Sequence, residues 1–211
     1  TPPMNAQITA NLRRAYDAKA EERNAGTQSS WKLVERAAFL EQLRAAGARR
    51  LLEIGGGPGH SSAFFRDAGL DVVMTDLSPE MVRLARAKGL DARVMDFRHL
   101  DFPDASFDAV FALNCLLHVP SAELPSALAE VRRVLQPNGL FYYGVYGGYS
   151  FEGVFADDAY EPKRYFVFYP DDELRRRAAA AGFDEVSFRA IVLEGDDAHF
   201  QELILRPAER A

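Results

Sequence analysis

The stretch Leu51-Leu52-Glu53-Ile54-Gly55-Gly56-Gly57-Pro58-Gly59 constrains this chain more than any other. A short apolar run reads as a buried strand, and four glycines in the next five residues permit a tight turn with close backbone approach. A helical pattern from His60 to Ala68 follows and stops at Gly69. A strand, a glycine turn and a helix in that order place free helix N–H groups beside the end of a strand, the start of a nucleotide-type site. The alternation then repeats. Asp71–Asp76 reads as a second strand. Ser78-Pro79-Glu80 opens a helix with an N-cap serine, a proline in the first turn and an acid, and Gly89 stops it. Asp91–Asp96 and Phe107–Leu113 read as a third and fourth strand. Leu124, Leu128, Val131 and Leu135 mark a helical stripe, and Leu140–Val145 a fifth strand.

After a long connection a helix spans Asp171–Ala181. Two closely spaced strands follow, near Val186–Leu193 and Phe200–Leu205, with too little chain between them for a crossover, so they should pair antiparallel. The expected fold is α/β: a doubly wound, mostly parallel seven-stranded sheet with the last strand antiparallel and helices on both faces. Residues 1–47 read as an N-terminal helical cap, in which Leu33, Ala37, Leu40 and Leu43 share one face. Residues 48–211 read as the Rossmann-like domain, carrying an aromatic-rich lid insertion at about 146–170. In such sheets ligands bind beyond the carboxyl ends of the strands, which directs attention to Gly55–Gly59, Asp76, Asp96 and Asn114–His118.

The ligand class follows from the frame of the glycines. A dinucleotide turn wants G-x-G-x-x-G, and neither frame here supplies the third glycine, since Ser62 and His60 occupy those places. The frame that fits is Glu53-x-Gly55-x-Gly57-x-Gly59. A carboxylate at the strand end repels a pyrophosphate but attracts an ammonium or sulfonium. Asp76 stands about 20 residues after the turn, where an acid can take both hydroxyls of a ribose.

These motifs resemble those of the class I S-adenosylmethionine-dependent methyltransferases that act on small molecules. Glu53-x-Gly55-x-Gly57-x-Gly59 is similar to their first motif and Asp76-Leu77-Ser78-Pro79-Glu80-Met81 to their ribose motif. Asp96, Leu100–Asp108, Asn114–Pro120 and Val134–Leu140 continue the resemblance over roughly residues 48–145. The resemblance implies that Glu53 and the backbone of Gly55, Gly57 and Gly59 hold the methionine end of the cofactor. It implies that Asp76 takes the ribose hydroxyls while Leu77 packs on the adenine. Asp96 and the Phe97 backbone N–H would read the adenine, and Asn114 would lie near the sulfonium. S-Adenosylmethionine is then the cofactor, S-adenosylhomocysteine its product, and no metal is required. Two alternatives stay open at this point: an NAD-dependent oxidoreductase, and a non-catalytic S-adenosylmethionine-binding module.

His118, just after the fourth strand, is the candidate general base, because imidazole titrates near neutrality. Tyr16, Trp31, Tyr146 and Tyr149 are the candidate acceptor-contacting residues, as aromatic side chains of the two stretches outside the regular alternation. The acceptor is expected to be a small molecule. With 25 basic and 31 acidic residues the net charge is −6, and no basic run supplies a phosphate-binding face, so nucleic acid is not expected. No apolar run approaches the ~20 residues of a membrane span, and Thr1–Asn5 lacks a signal-peptide core. A cytoplasmic monomer or homodimer is the reading. Cys115 is the only cysteine, which excludes an internal disulfide and a thiolate-cage metal site.

Overall fold

The computed structural model describes residues 4–192 and 199–209. Three helices lead: α1 (Met4–Ala18), α2 (Ala20–Ala25) and α3 (Ser30–Ala45). Then β1 (Arg50–Ile54), α4 (His60–Asp67), β2 (Asp71–Asp76), α5 (Pro79–Ala87), β3 (Asp91–Val94) and β4 (Phe107–Leu113) alternate. A single 3-10 turn, Leu116–His118, separates β4 from α6 (Leu124–Val134), and β5 (Leu135–Gly147) follows. The long connection contains a hairpin, β6 (Phe151–Val154) and β7 (Tyr165–Phe168). The chain closes with α7 (Asp171–Ala180), β8 (Phe183–Val192) and β9 (His199–Pro207). Leu193, the expected end of the penultimate strand, and Thr1–Pro3 lie outside the described residues.

The main sheet has seven strands in the order β3-β2-β1-β4-β5-β9-β8. Its β1–β5 neighbours run parallel, and β9 runs antiparallel to both β5 and β8. The strand apolar runs are continuous because both faces are covered. Leu51, Ala109, Phe111, Leu140 and Tyr142 face α3 and α4, where Phe39, Leu43 and Phe65 fill the layer. Leu52, Ile54, Val110, Ala112, Phe141 and Tyr143 face α6 and α7, meeting Leu124, Leu128 and Leu174. This two-residue alternation locks the register, since a one-residue slip would exchange the two faces. Winding reverses between β1 and β4, so a crevice opens beyond Ile54 and Leu113.

Several expectations change. Leu135, expected on the helical stripe, pairs with Phe107 at the start of β4 and so opens β5, which runs to Gly147 instead of spanning Leu140–Val145. The buried face of α3 is Glu35, Arg36, Phe39, Leu40 and Leu43, whereas Leu33 and Ala37 are exposed. The helix turns two charged residues inward because a partner lies there, as described below. β3 ends at Val94, not Asp96: the Asp96 carbonyl accepts from His99 N at 2.9 Å and its carboxylate from Arg98 N at 3.0 Å, which bends the chain out of the sheet. The aromatic connection forms the β6–β7 hairpin, whose Phe151, Phe166 and Phe168 pack on one another and on Phe155.

Candidate active site

A cavity of about 320 Å³ lies at the switch point. Its floor is the turn after β1 and the ends of β2 and β4. Its roof is Ile8, Thr9, Leu12 and Tyr16 of α1, with Arg23 of α2, Gly26–Gln28, and Lys32 and Arg36 of α3. Glu53, Gly55, Gly57, Asp76, Leu77, Asp96, Phe97, Asn114 and His118 all line it, so one cavity gathers residues spread over 66 positions of sequence.

The floor is built for close approach. Gly55 has φ +63°, and a Cβ there would collide with the Cβ of Cys115, so only glycine lets the loops after β1 and β4 meet. The Cys115 thiol is buried against the Ile54 carbonyl at 3.2 Å, and burial raises its pKa, so it is a packing group. Gly57 has φ +58° and nothing within 4 Å of where a Cβ would stand, leaving a backbone ledge open to a ligand. Gly59 does not line the cavity. It precedes α4 in a left-handed conformation, and a Cβ there would collide with Leu90 and crowd Ala85.

Asp76 braces this floor. Its two carboxylate oxygens accept from Gly57 N at 2.8 Å and Ser78 N at 2.9 Å. Burial lifts its pKa, opposed by these two amide donors. Each oxygen retains a lone pair for a second donor such as a ribose hydroxyl. Asp96 is held by Arg98, whose guanidinium also pairs with Glu123 and donates to Thr9 at 2.8 Å. Burial raises the Asp96 pKa, but the Arg98 hydrogen bonds and charge outweigh it and leave it below the usual range.

Glu53 is 3% exposed and burial pushes its pKa up to about 7, against the opposing influence of the Ser62 hydroxyl and the Arg36 charge. Arg36 is 4% exposed, donates to Gln28 Oε1 at 2.7 Å, and keeps its Nε without a partner. Asn114 sits at φ +56°, a region asparagine tolerates better than most residues, and its buried Oδ1 also lacks a partner. Buried polar atoms are ordinarily satisfied, so an unpartnered donor and an unpartnered acceptor lining one cavity fit a zwitterionic ligand.

His118 is buried and already engaged. Its Nδ1 lies 2.7 Å from the Tyr165 carbonyl oxygen, which can only accept, so Nδ1 carries the proton. Its Nε2 therefore accepts from the Tyr16 hydroxyl at 2.6 Å. The Tyr16 oxygen in turn accepts from Arg164 Nη1 at 3.0 Å, and Arg164 is paired with the buried Asp158. Burial pushes the His118 pKa down to about 3. A neutral, hydrogen-bonded imidazole of that basicity is a poor proton acceptor, which argues against the general-base role expected from sequence.

The expected acceptor-contacting residues divide. Tyr16 lines the cavity. Trp31, Tyr146 and Tyr149 do not: Trp31 packs on Phe200 at 4.6 Å and Tyr146 at 6.2 Å, and Tyr149 on Phe168 at 5.4 Å. Large aromatic area found other aromatic area. Arg36, Lys32, Gln28, Ile8 and Leu12 line the site without having been singled out from sequence. The signal available for the first two was a pair of cations one helical turn apart, which usually marks a solvated face.

A family model described as a methyltransferase domain matches residues 52–143. The ubiquinone/menaquinone biosynthesis C-methyltransferase UbiE of Ralstonia nicotianae is 32% identical, over 87% of this chain and 85% of that protein. Among solved structures, the Burkholderia thailandensis 1,6-didemethyltoxoflavin-N1-methyltransferase, with 1,6-didemethyltoxoflavin and S-adenosylhomocysteine bound, superposes with a TM-score of 0.77 at 22% identity, covering 99% of this chain and 92% of that one. A DhpI-SAM-HEP complex superposes at 0.71 with 26% identity, covering 98% and 100%. The glycine frame that fails the dinucleotide pattern, the cavity-lining Asp76 and Asp96 and these likenesses agree, and the nicotinamide reading falls. This chain belongs to the class I S-adenosylmethionine-dependent methyltransferases.

Proposed function

We propose that this enzyme transfers a methyl group from S-adenosylmethionine to a small molecule held between the Asn114–His118 stretch and Tyr16. The observation that carries the reading is one cavity lined by two residues with buried unpartnered atoms, Arg36 Nε and Asn114 Oδ1, and by the glycine turn that Asp76 braces. Arg36 would hold the carboxylate of the cofactor and Glu53 its ammonium. Asp76 would take the ribose hydroxyls, and Leu77, Phe97, Ile8 and Leu12 would enclose the adenine. Asp96, paired with Arg98, would offer its remaining lone pairs to the adenine amino group.

When bound, the cofactor supplies a methyl on a sulfonium, already activated for displacement. The chain then has to align the receiving atom and keep water out. We assign Tyr16 to acceptor positioning: its oxygen donates to His118, accepts from Arg164 and keeps one lone pair for the cavity. His118 is a positioning residue that fixes Tyr16. On this reading residues 1–47 form the cap, residues 48–211 the catalytic domain, and the 146–170 insertion supports the roof through Arg164 and Tyr165. No described helix is long and apolar enough to cross a membrane. We place the enzyme in the cytoplasm as a monomer or homodimer, supported by its lone, buried thiol.

Calorimetric titration with S-adenosylhomocysteine tests the reading. Saturable binding, undiminished by chelator and weakened at least about tenfold by Arg36→Met, is expected. Well-folded protein that does not bind at millimolar ligand overturns it.

A further inference from the structure

The roof of the cavity carries more positive charge than one cofactor carboxylate can use. Four cationic side chains line the cavity: Arg23, Lys32, Arg36 and Arg98. Arg98 is neutralised by Asp96 and Glu123. The other three make no ion pair among the described residues. Arg23 donates to the Tyr160 hydroxyl at 3.0 Å and lies 5.4 Å over the Tyr16 ring. The Lys32 ammonium lies 5.5 Å from the Trp31 ring, and Arg36 donates to the neutral Gln28 amide. In a chain of net charge −6, three cations gathered in one cavity outside any close ion pair are a recognition feature rather than a compositional accident.

The cofactor does not resolve this imbalance. It brings one carboxylate together with an ammonium and a sulfonium. Of the carboxylates that line the site, Asp96 is paired with Arg98, Glu53 faces Arg36 and Asp76 feels the charge of Arg23, which leaves Lys32 the cation with only like charges acting on it.

Position separates the cations. Arg36 stands over Glu53, at the end of β1 and the methionine end of the site. Lys32, one helical turn earlier, adjoins Trp31. The Trp31 ring packs on Tyr146 and Phe200, which are register partners in β5 and β9, and in the same cluster as Leu113 at the end of β4. Lys32 therefore stands near the carboxyl ends of β4 and β5. Arg23 reaches over Tyr16, whose hydroxyl touches His118. Arg23 thus stands beside the Tyr16–His118 pair, and Lys32 lines the same cavity as Asn114 and His118, where the methyl-receiving atom must come. Burial, followed by the charges of Arg23 and Arg36, holds the Lys32 pKa below its ordinary value. A like-charged, partly buried group of this kind is stabilised by an arriving anion.

We propose that Lys32, assisted by Arg23, binds an anionic carboxylate or phosphoryl group of the methyl acceptor, making the substrates small organic anions. The inference rests on the cofactor reading above, because it gives Arg36 to the cofactor and Lys32 to the acceptor. A roof that includes Tyr16 and a cavity volume of about 320 Å³ limit the acceptor to a small molecule once the cofactor is seated.

The test uses the full chain saturated with S-adenosylhomocysteine and titrated in separate arms with inorganic phosphate and with acetate. Calorimetry and Trp31 fluorescence are the readouts, the latter direct because Trp31 is the only tryptophan and lies beside the ammonium. At least one anion should bind saturably. Lys32→Met should weaken it about tenfold or more while S-adenosylhomocysteine affinity stays within a few-fold, and Lys32→Arg should restore it. Arg36→Met should show the reverse pattern, losing the cofactor product first. Binding of phosphate alone assigns a phosphoryl group, and binding of acetate assigns a carboxylate. If the loaded protein binds neither anion, or if Lys32→Met weakens S-adenosylhomocysteine as much as Arg36→Met does, the inference is overturned and the cofactor reading stands. Failure of the wild type to bind S-adenosylhomocysteine overturns both.

Discussion

Substituting Glu53 with glutamine should flatten the pH dependence of cofactor binding. In the free protein, burial holds the Glu53 carboxyl at a pKa of about 7 from an ordinary 4.5. At pH 6 about nine in ten of these carboxyls are protonated, and at pH 8 about one in ten. An ammonium seated on Glu53 needs the ionised form, so binding at pH 6 must expel about 0.9 proton and at pH 8 almost none. Affinity for S-adenosylhomocysteine should therefore rise about tenfold between pH 6 and pH 8. The same group acts on folding with the opposite tendency. Its folded pKa lies above the unfolded one, so its contribution is fully present below about pH 4.5 and is lost as pH rises through about 7. The gap is worth about 3 kcal/mol. Calorimetry in buffers of different ionisation enthalpy counts the proton directly. Glu53→Gln retains an acceptor for the Ser62 hydroxyl and cannot ionise, so it should bind with little pH dependence and release no proton. A tenfold pH slope surviving in Glu53→Gln, or wild-type binding at pH 6 without proton release, refutes the reasoning.

Three further perturbations follow from the same geometry. His118 should stay a neutral Nδ1–H tautomer from pH 5 to 8, read by nitrogen NMR of the imidazole, and His118→Gln should leave the tenfold pH slope in place; a titration midpoint inside that range would sink the positioning role. Tyr16→Phe keeps the ring under Arg23 and Arg164 but leaves His118 Nε2 unpaired, so denaturant unfolding should register a loss of about 1–3 kcal/mol, and unchanged stability would mean the bond contributes nothing. Asp76→Ala should cost both folding and binding, because two charge-assisted bonds to Gly57 and Ser78 vanish with the ribose site, each worth about 1.5–3 kcal/mol; loss of affinity with stability intact would show that water replaces them.

The parts of this molecule legible in sequence are those dictated by backbone geometry. The glycine turn announces itself because a Cβ at Gly55 would collide with Cys115, and Ser78 caps α5 through Met81 N as its position suggested. The ends of β1, β2 and β4 were legible, those of β5 were not, and β3 stops early because hydrogen bonds at Asp96 bend the chain. What was hidden depends on partners distant in sequence. Arg36 reads as a solvated helix residue until α3 is laid over Glu53. Glu35 reads likewise, yet it is 3% exposed because Tyr142 and Arg189 meet it from the sheet. Trp31 and Tyr146 are as aromatic as Tyr16, and only the packing against Phe200 separates core from cavity. The His118 proton acceptor is decided by a carbonyl 47 residues away.

The central claim, that this cavity seats the cofactor with its carboxylate on Arg36 and its ribose on Asp76, is tested most directly by a crystal structure of the protein with S-adenosylhomocysteine. The account predicts the ribose hydroxyls within hydrogen-bond distance of the Asp76 carboxylate, the ammonium on Glu53 and the carboxylate on Arg36 Nε. Product bound elsewhere, or bound here with Arg36 and Glu53 untouched, contradicts it.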